Sequence, residues 1–474
     1  MIILGFDLGA SSYRAVVAEI RENEKRIEIL DTLKWPNQMI KVGERLYWDL
    51  LKIWDDIKKT IKQVYKSYGK RLYSVGVDSW GVDFVLLDSR GELVGLPIAY
   101  RDPRTIDVVD KVFEKIPREE LYRLTGIQFM RINTIYHLYA MSYHRDPKLS
   151  IAEKFLMIPD LFHYWLSGLD LVEYTNASTT QLLDPWKRKW CYEVIERLDL
   201  PKHIFPEIFD AGTRREEMRR DLGQELEIRE EISISPPATH DTASAVAAAP
   251  MVSEDTAYIS SGTWSLIGVE LREPLISDLG YRYNFTNEGG VFGTIRFLKN
   301  VQGMWIIEEI RRVAKEKRDL ELSYEDISKI LSEKKKPSAF IDPDDEIFIS
   351  PLDMIDAVKQ YLKRTNQSLT DDLGEIIRIV YYSLAMKYRL VIERIERITG
   401  RRIRAINIIG GGARNNELNQ LIADTSNRVV YAGPYEATSL GNILMQLRSL
   451  GLINSLRELR EYSRNSSEIR VFEP

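Results

Sequence analysis

One cysteine, five histidines and no long uncharged apolar run set the first limits on this chain of 474 residues. The lone thiol, Cys191, excludes an internal disulfide and any site built from several thiolates, and it fits a reducing compartment, so a cytoplasmic location is expected. No apolar stretch approaches the roughly 18 residues of a membrane span. Met1 to Ala10 meets Asp7 after a short apolar run with no basic leader, so no signal peptide and no membrane partner are expected. An excess of one charge is also missing: 66 basic against 71 acidic side chains leave a net charge of -5. That balance argues against nucleic acid as a partner and leaves room for a local phosphate pocket. A Walker-type phosphate loop is excluded, since Gly69-Lys70 is followed by Arg71. His137, His163 and His203 have no partner at metal-ligand spacing and read as ordinary packed or surface histidines.

What is present is a folded composition, 44% hydrophobic and 29% charged, long enough for two large domains or three ordinary ones. Ile2 to Leu8 and Ala15 to Ile20 read as two strands around a turn of small residues, Gly9-Ala10-Ser11-Ser12. Apolar residues from Leu50 to Val64 recur at helical spacing before a stop at Gly69, and strand character returns over Leu72 to Asp78 and Phe84 to Leu87. Mainly helical patterns are expected from Arg104 to about Glu230, and Ser235-Pro236-Pro237 marks a boundary, giving domains of residues 1–239 and 240–474. The second half opens as the first does: strands over Ala257 to Ser260 and Leu266 to Leu271 flank Ser261-Gly262-Thr263, so an internal duplication is the hypothesis. Ser323 with Asp326 reads as a capping box, followed by the charged run Glu333 to Lys336 as a solvated face. A long helix is expected between Asp371 and Thr399, stopped by Gly400. A strand over Ile403 to Ile409 then runs into Gly410-Gly411-Gly412, and helices follow over Asn415 to Ser426 and Glu436 to Leu450. Alternating strands and helices in both halves give an α/β class.

Small residues in a strand turn let backbone N–H groups and hydroxyls approach an anion, so Asp7 to Ser12 and Ser260 to Thr263 are candidate phosphate cradles; one such turn alone reads more readily as a plain hairpin, and the presence of two favours the cradle. The glycines at 410–412 can approach a nucleotide or simply make a tight strand-to-helix turn. Asp241, between His240 and Thr242 at the expected boundary, is a candidate general base or a helix N-cap. Asp78 to Asp83 and Asn284 to Asn300 mix amides and carboxylates with glycine and aromatic residues. Such clusters suit a polyhydroxylated ligand, and loop requirements explain them equally well.

Trp80-Gly81-Val82-Asp83-Phe84, His240-Asp241-Thr242 and Ser260-Ser261-Gly262-Thr263-Trp264, in this order and with the hairpin at residues 6–12 and the glycines at 410–412, resemble the FGGY family of carbohydrate kinases over almost the whole chain. Within it the chain is most similar to the members that act on L-rhamnulose. The resemblance implies an actin-like ATPase (ribonuclease H-like) α/β fold, two related lobes around a nucleotide and sugar cleft, and transfer of the γ-phosphate of ATP, with Mg2+, to the 1-hydroxyl of L-rhamnulose. It also implies site roles. Asp241 would be the general base. Gly81, His240, Asp241, Thr242 and Asn300 would hold the sugar, while Ala10, Ser11, Ser12, Tyr13, Arg14, Thr263, Glu308 and Gly412 would hold ATP. Asp7 would contact the metal through water. Tyr13 stands where the family usually has Gly, which puts the turn geometry in question, and Glu308 stands where it typically offers Gln. A sister activity on L-fuculose, D-xylulose or glycerol is the near alternative. A non-enzymatic actin-like nucleotide switch is the distant one, against which the His-Asp-Thr match speaks.

Overall fold

A computed structural model describes residues 1–333, 335–349 and 351–474, so Lys334 of the expected charged run lies outside the described residues. The chain separates into two compact units. The first comprises residues 1–250, 270–297 and 437–467, and the second comprises residues 251–269, 298–436 and 468–474.

In the first unit, β1 (Ile2–Leu8) is buried along its whole length and pairs antiparallel with β2 (Ser12–Arg21), which continues into β3 (Arg26–Pro36). Tyr13, Ala15 and Val17 lie on one face of β2 and Val16 and Ala18 on the other, and all five are buried, so the middle of the strand is covered on both sides. Helix α1 (Leu50–Tyr68) follows, buried through Leu50, Ile53, Ile57, Ile61 and Val64 and capped by Asp49, whose carboxylate accepts from Lys52 N at 3.1 Å. β4 (Leu72–Ser79) then lies parallel to β1, with Asp78 directly beside Asp7. The short β5 (Ser233–Ile234) pairs with β4, and helix α2 (Asp241–Ala247) closes this stretch. The helix Ala437–Ser449 packs on the same sheet through polar side chains. Asn442 Nδ2 donates to Asp78 Oδ2 at 2.8 Å, Gln446 Nε2 donates to Leu4 O at 3.1 Å, and Ser74 donates to Gln446 Oε1 at 2.6 Å. Residues 104–230 are less helical than their pattern predicts. Short strands at Lys154–Met157, Val172–Glu173, Leu183–Asp184, Lys189–Trp190 and Ile208–Phe209 interrupt the helices, because segments of two to four residues leave no periodic signal.

The second unit repeats the plan. β6 (Thr256–Ser261) and β7 (Trp264–Leu271) form an antiparallel hairpin. The strand β8 (Ile295–Gln302) is divided between the units after Phe297. Helix α3 (Trp305–Arg318) follows, and the 27-residue α4 (Leu373–Thr399) ends at Gly400 with φ of 68°. β9 (Ala405–Ile409) runs parallel to β6, and β10 (Val429–Ala432) parallel to β9. The strand order β3-β2-β1-β4-β5 of the first unit is thus matched by β8-β7-β6-β9-β10 in the second. The hairpin that opens each half is the repeat that the sequence predicts, and the structure adds to each a parallel strand beside the hairpin's first strand. The capping box of Ser323 and Asp326 is formed in both directions.

Candidate functional site

One part of the candidate site is built at the carboxyl ends of β1 and β4, where ligands of α/β sheets bind. Trp80 N donates to Leu8 O at 3.2 Å and Ser79 N to Thr239 O at 2.9 Å, so the segment Thr239–Asp241 runs on beside β4 and delivers Asp241 to the sheet end as the first residue of α2. His240, not Asp241, is the N-cap, and it makes no side-chain cap bond. The Asp241 carboxylate is therefore not used in capping the helix from outside; it accepts from Thr242 Oγ1 at 3.0 Å on its own helix, and 29% of its side chain is exposed. Burial of its surroundings, and then the nearby Asp7 carboxylate, push Asp241 up to about 7. A carboxyl of that pKa can accept a proton near neutrality.

His240 is hydrogen-bonded at one ring edge and faces a carboxylate with the other. Nδ1 lies 2.9 Å from Arg296 Nη2, and Nε2 lies 3.5 Å from Asp241 Oδ1. Burial and the Arg296 charge drive its pKa well down, so the ring is neutral. Gly81 comes so close that a Cβ would sit 3.0 Å from Thr179 Cγ2 and 3.3 Å from His240 Nε2. The next residue, Val82, is β-branched yet holds a left-handed φ of 67°, pinned by Thr179 Oγ1 to its N at 3.0 Å and by Thr134 Oγ1 to its O at 2.6 Å. Backbone strain of this kind persists where the surroundings over-determine it. Beneath the turn, Trp48 and Trp80 both donate indole N–H bonds to Asp83 Oδ2, at 2.6 and 2.8 Å.

Glu173 is a hub absent from the sequence reading. Fully buried, it accepts from Thr239 N and Thr239 Oγ1 at 2.9 Å each, and from Thr175 N and Oγ1 at 2.8 and 2.5 Å. Thr175 Oγ1 in turn accepts from His240 N at 3.2 Å. One carboxylate thereby fixes the backbone that carries His240 and Asp241.

The first hairpin turn presents Ala10, Ser11 and Ser12, with Ser11 exposed. Asn37 braces it from behind, donating from N to Ser11 O at 3.0 Å and from Nδ2 to Gly9 O at 2.9 Å. The Tyr13 side chain faces the core, stacked on Trp35 with centroids 5.3 Å apart and bonded to Asp56 through its hydroxyl. Only the backbone of Tyr13 is left for the expected phosphate contact, and it lies in β2 without a left-handed φ, so the bulky residue does not distort the turn. Arg14 Nε pairs with Asp7 Oδ2 at 3.3 Å.

In the second unit, three of the four expected residues gather around the β6–β7 hairpin. Thr263 is exposed at its tip, and α3 begins beneath it, with Met304 N donating to Gly262 O at 3.0 Å. Glu308, in the first turn of α3, is held by Arg311 at 2.8 Å and by the Tyr324 hydroxyl at 2.5 Å. Gly412 is buried against the hairpin, where a Cβ would fall 2.0 Å from Ser261 Oγ, whereas Gly411 has nothing within 4 Å of that position. The outward-facing glycine is therefore Gly411. Asn300 lies half-buried on β8. Of the other polar cluster, Asn287 serves the backbone, accepting from Leu275 N at 2.6 Å, and Glu288 belongs to Arg296, at 3.1 Å.

Among the described residues no group of three or more His, Cys, Asp or Glu side chains is placed to cage a metal ion. Mg2+ needs no cage, since it keeps several waters and is held by one or two carboxylates together with substrate phosphates. The donor set fits that use: Asp7 and Asp78 are adjacent in register, and burial first and then the Asp7 carboxylate raise the pKa of both Asp78 and Asp241, so added positive charge beside Asp7 is favourable. Among the described residues no helix is long and apolar enough to cross a membrane.

Comparison with known proteins places this geometry. Residues 2–248 match the N-terminal domain of the FGGY family of carbohydrate kinases, and residues 257–450 match its C-terminal domain. A rhamnulokinase of Halalkalibacterium halodurans is 40% identical over 99% of this chain and 98% of its own length. One from Bacillus subtilis is 38% identical over 100% and 96%. Among solved structures, the fold is shared with a xylulose kinase from Lactobacillus acidophilus (TM-score 0.83, 18% identity, 100% of this chain and 94% of that one). It is also shared with the Plasmodium falciparum glycerol kinase (TM-score 0.81, 14% identity, 100% and 94%). With both family domains matched in order and full-length relatives at this identity, the chain belongs to the FGGY family of carbohydrate kinases.

Proposed function

We propose that this kinase transfers the γ-phosphoryl group of ATP to the 1-hydroxyl of L-rhamnulose. The observation that carries the chemistry is Asp241, a carboxyl of pKa about 7 left open at a sheet end beside Asp7, His240 and Gly81. The choice of sugar is supported by the curated rhamnulokinases that align end to end with the chain.

Phosphoryl transfer asks for positioning and charge neutralisation more than for covalent chemistry. Asp241 takes the proton of the acceptor hydroxyl as its oxygen attacks the γ-phosphorus in line, a contribution of about 100- to 10,000-fold. His240, neutral, donates from Nε2 to a sugar oxygen, and Thr242 and Asn300 are assigned to the sugar with it. Gly81, lacking a Cβ, lets the sugar lie against Thr179 and His240. The backbone of Ala10 to Arg14, with the Ser11 and Ser12 hydroxyls, is assigned to the ATP phosphates, and Thr263, Glu308 and the turn at Gly412 to the nucleotide. Because Glu308 can accept but not donate, it selects for a donor group on the nucleotide. Asp7 would hold Mg2+ through water, and the ion would neutralise phosphate oxygens.

An ADP-release assay across L-rhamnulose, L-fuculose, D-xylulose and glycerol tests the reading. L-rhamnulose is expected to give the highest kcat/KM, and its ranking well below another acceptor rejects the assignment.

A further inference from the structure

Arg296 is fully buried, and its guanidinium has three fixed neighbours within the first unit. Nε donates to Gly289 O at 2.7 Å, Nη2 pairs with Glu288 Oε2 at 3.1 Å, and the same Nη2 meets His240 Nδ1 at 2.9 Å. A guanidinium has five donors and no acceptor, so Nδ1 must offer its lone pair and the ring proton must sit on Nε2. That Nε2 edge faces Asp241 Oδ1 at 3.5 Å and the bare Cα of Gly81. The separation from Asp241 exceeds a hydrogen bond, so the donor is free to serve a third group.

We propose that Arg296, anchored by Glu288 and the Gly289 carbonyl, is a positioning residue for the acceptor sugar, holding His240 in its Nε2–H tautomer so that the ring donates to a sugar oxygen. This rests on the reading that His240 and Asp241 form the acceptor site. Two alternatives are suppressed by the arrangement. With the proton on Nδ1 instead, Nε2 becomes an acceptor and the ring no longer recognises a carbonyl or ether oxygen. With both nitrogens protonated, the imidazolium pairs with Asp241 and ties up the base. Arg296 blocks both by occupying Nδ1 with a donor that carries a positive charge. Glu288 offsets that charge, so the buried cation is not left unpaired.

The tautomer is read directly by nitrogen–proton correlation spectra of the ligand-free protein labelled with 15N at histidine, with the His240 signals identified by their loss in His240→Gln. The expected result at neutral pH is a protonated Nε2 and an unprotonated Nδ1. The reverse tautomer, or an imidazolium, overturns the proposal. Kinetics supply the second arm. Arg296→Met is expected to raise the KM for the sugar about tenfold or more, the cost of one buried hydrogen bond, with the KM for ATP within about twofold. Combined with His240→Gln it is expected to be no worse than His240→Gln alone, because Arg296 acts through that ring. Additive losses overturn the proposal. Arg296→Lys, which keeps a charged donor, is expected to recover part of the loss, and it serves for the same double-variant comparison if the Met variant fails to fold. The functional reading fails separately, as absence of sugar turnover in the unsubstituted protein, a result that the spectra do not depend on.

Discussion

On the proposed function Asp241→Asn removes the base and, by the same electrostatics, relieves the fold. The Asp241 carboxyl titrates at about 7 in the folded protein, against about 3.9 in an unfolded chain. Between those values the folded protein keeps a proton that the unfolded chain has released. The stability this group contributes is therefore fully present below about pH 3.9 and is lost as the pH rises through about 7. At ~1.4 kcal/mol for each pH unit the full gap bounds the effect near ~4 kcal/mol, and solvent reaching the partly open side chain reduces it to about 2 kcal/mol. Asparagine is a neutral isostere that still accepts the Thr242 hydroxyl bond. The variant is therefore expected to melt a few degrees above the unsubstituted protein at pH 8.5 and to match it near pH 4.5. Turnover is expected to fall about 100- to 10,000-fold with sugar binding retained. Thermal melts of both proteins at the two pH values, with steady-state rates, make the test. A stability difference that does not grow with pH contradicts the raised pKa of Asp241, and near-full activity in the variant contradicts its role as base.

Three further outcomes follow from the geometry. Gly412→Ala forces a Cβ to 2.0 Å from Ser261 Oγ and should cost about 2 kcal/mol or more. Gly411→Ala, facing open space, should stay within about 0.5 kcal/mol, so equal shifts in urea midpoint for the two variants contradict the packing. Glu173→Gln turns one acceptor into a donor facing backbone and hydroxyl protons of Thr175 or Thr239. A loss of about 2 kcal/mol in stability is expected, with a fall in kcat as the backbone of His240 and Asp241 loosens; unchanged kinetics would refute the hub. Tyr13→Phe keeps the stack on Trp35 and loses only the bond to Asp56, so it should cost about 1 kcal/mol and leave the KM for ATP within about twofold. Tyr13→Gly, although it restores the usual family residue, should cost about 3 kcal/mol or more through the cavity it opens. Denaturant titrations distinguish the two.

What could be read from the chain before folding was what local patterns encode. The hairpin at Asp7 to Ser12, the capping box of Ser323 and Asp326, and the helix ending at Gly400 depend on neighbours a few residues away, and the structure has them. The direction of the Tyr13 ring was not encoded: Ala15 to Ala18 are apolar and buried on both faces of β2, and only the approach of Trp35 and Asp56 shows which way the ring turns. Arg296 is a second case. Nothing in Ile295-Arg296-Phe297 says which group the guanidinium meets, and its partner His240 is 56 positions away. Glu173 and Asn37 are likewise polar residues whose roles exist only once distant strands and turns are brought together. Gly411 and Gly412 read identically in sequence, and only the approach of Ser261 separates the glycine that packs from the one that faces outward.

In the proposed reaction Asp241, as carboxylate, accepts the proton of the sugar hydroxyl. The pH dependence of kcat/KM for L-rhamnulose tests it most directly, since that parameter reports groups of the free enzyme. Below about pH 7 the base is protonated and silent, so kcat/KM is predicted to climb about tenfold per pH unit up to that point and then level off. A profile that is flat from pH 5 to 8, or that falls as the pH rises through 7, contradicts it.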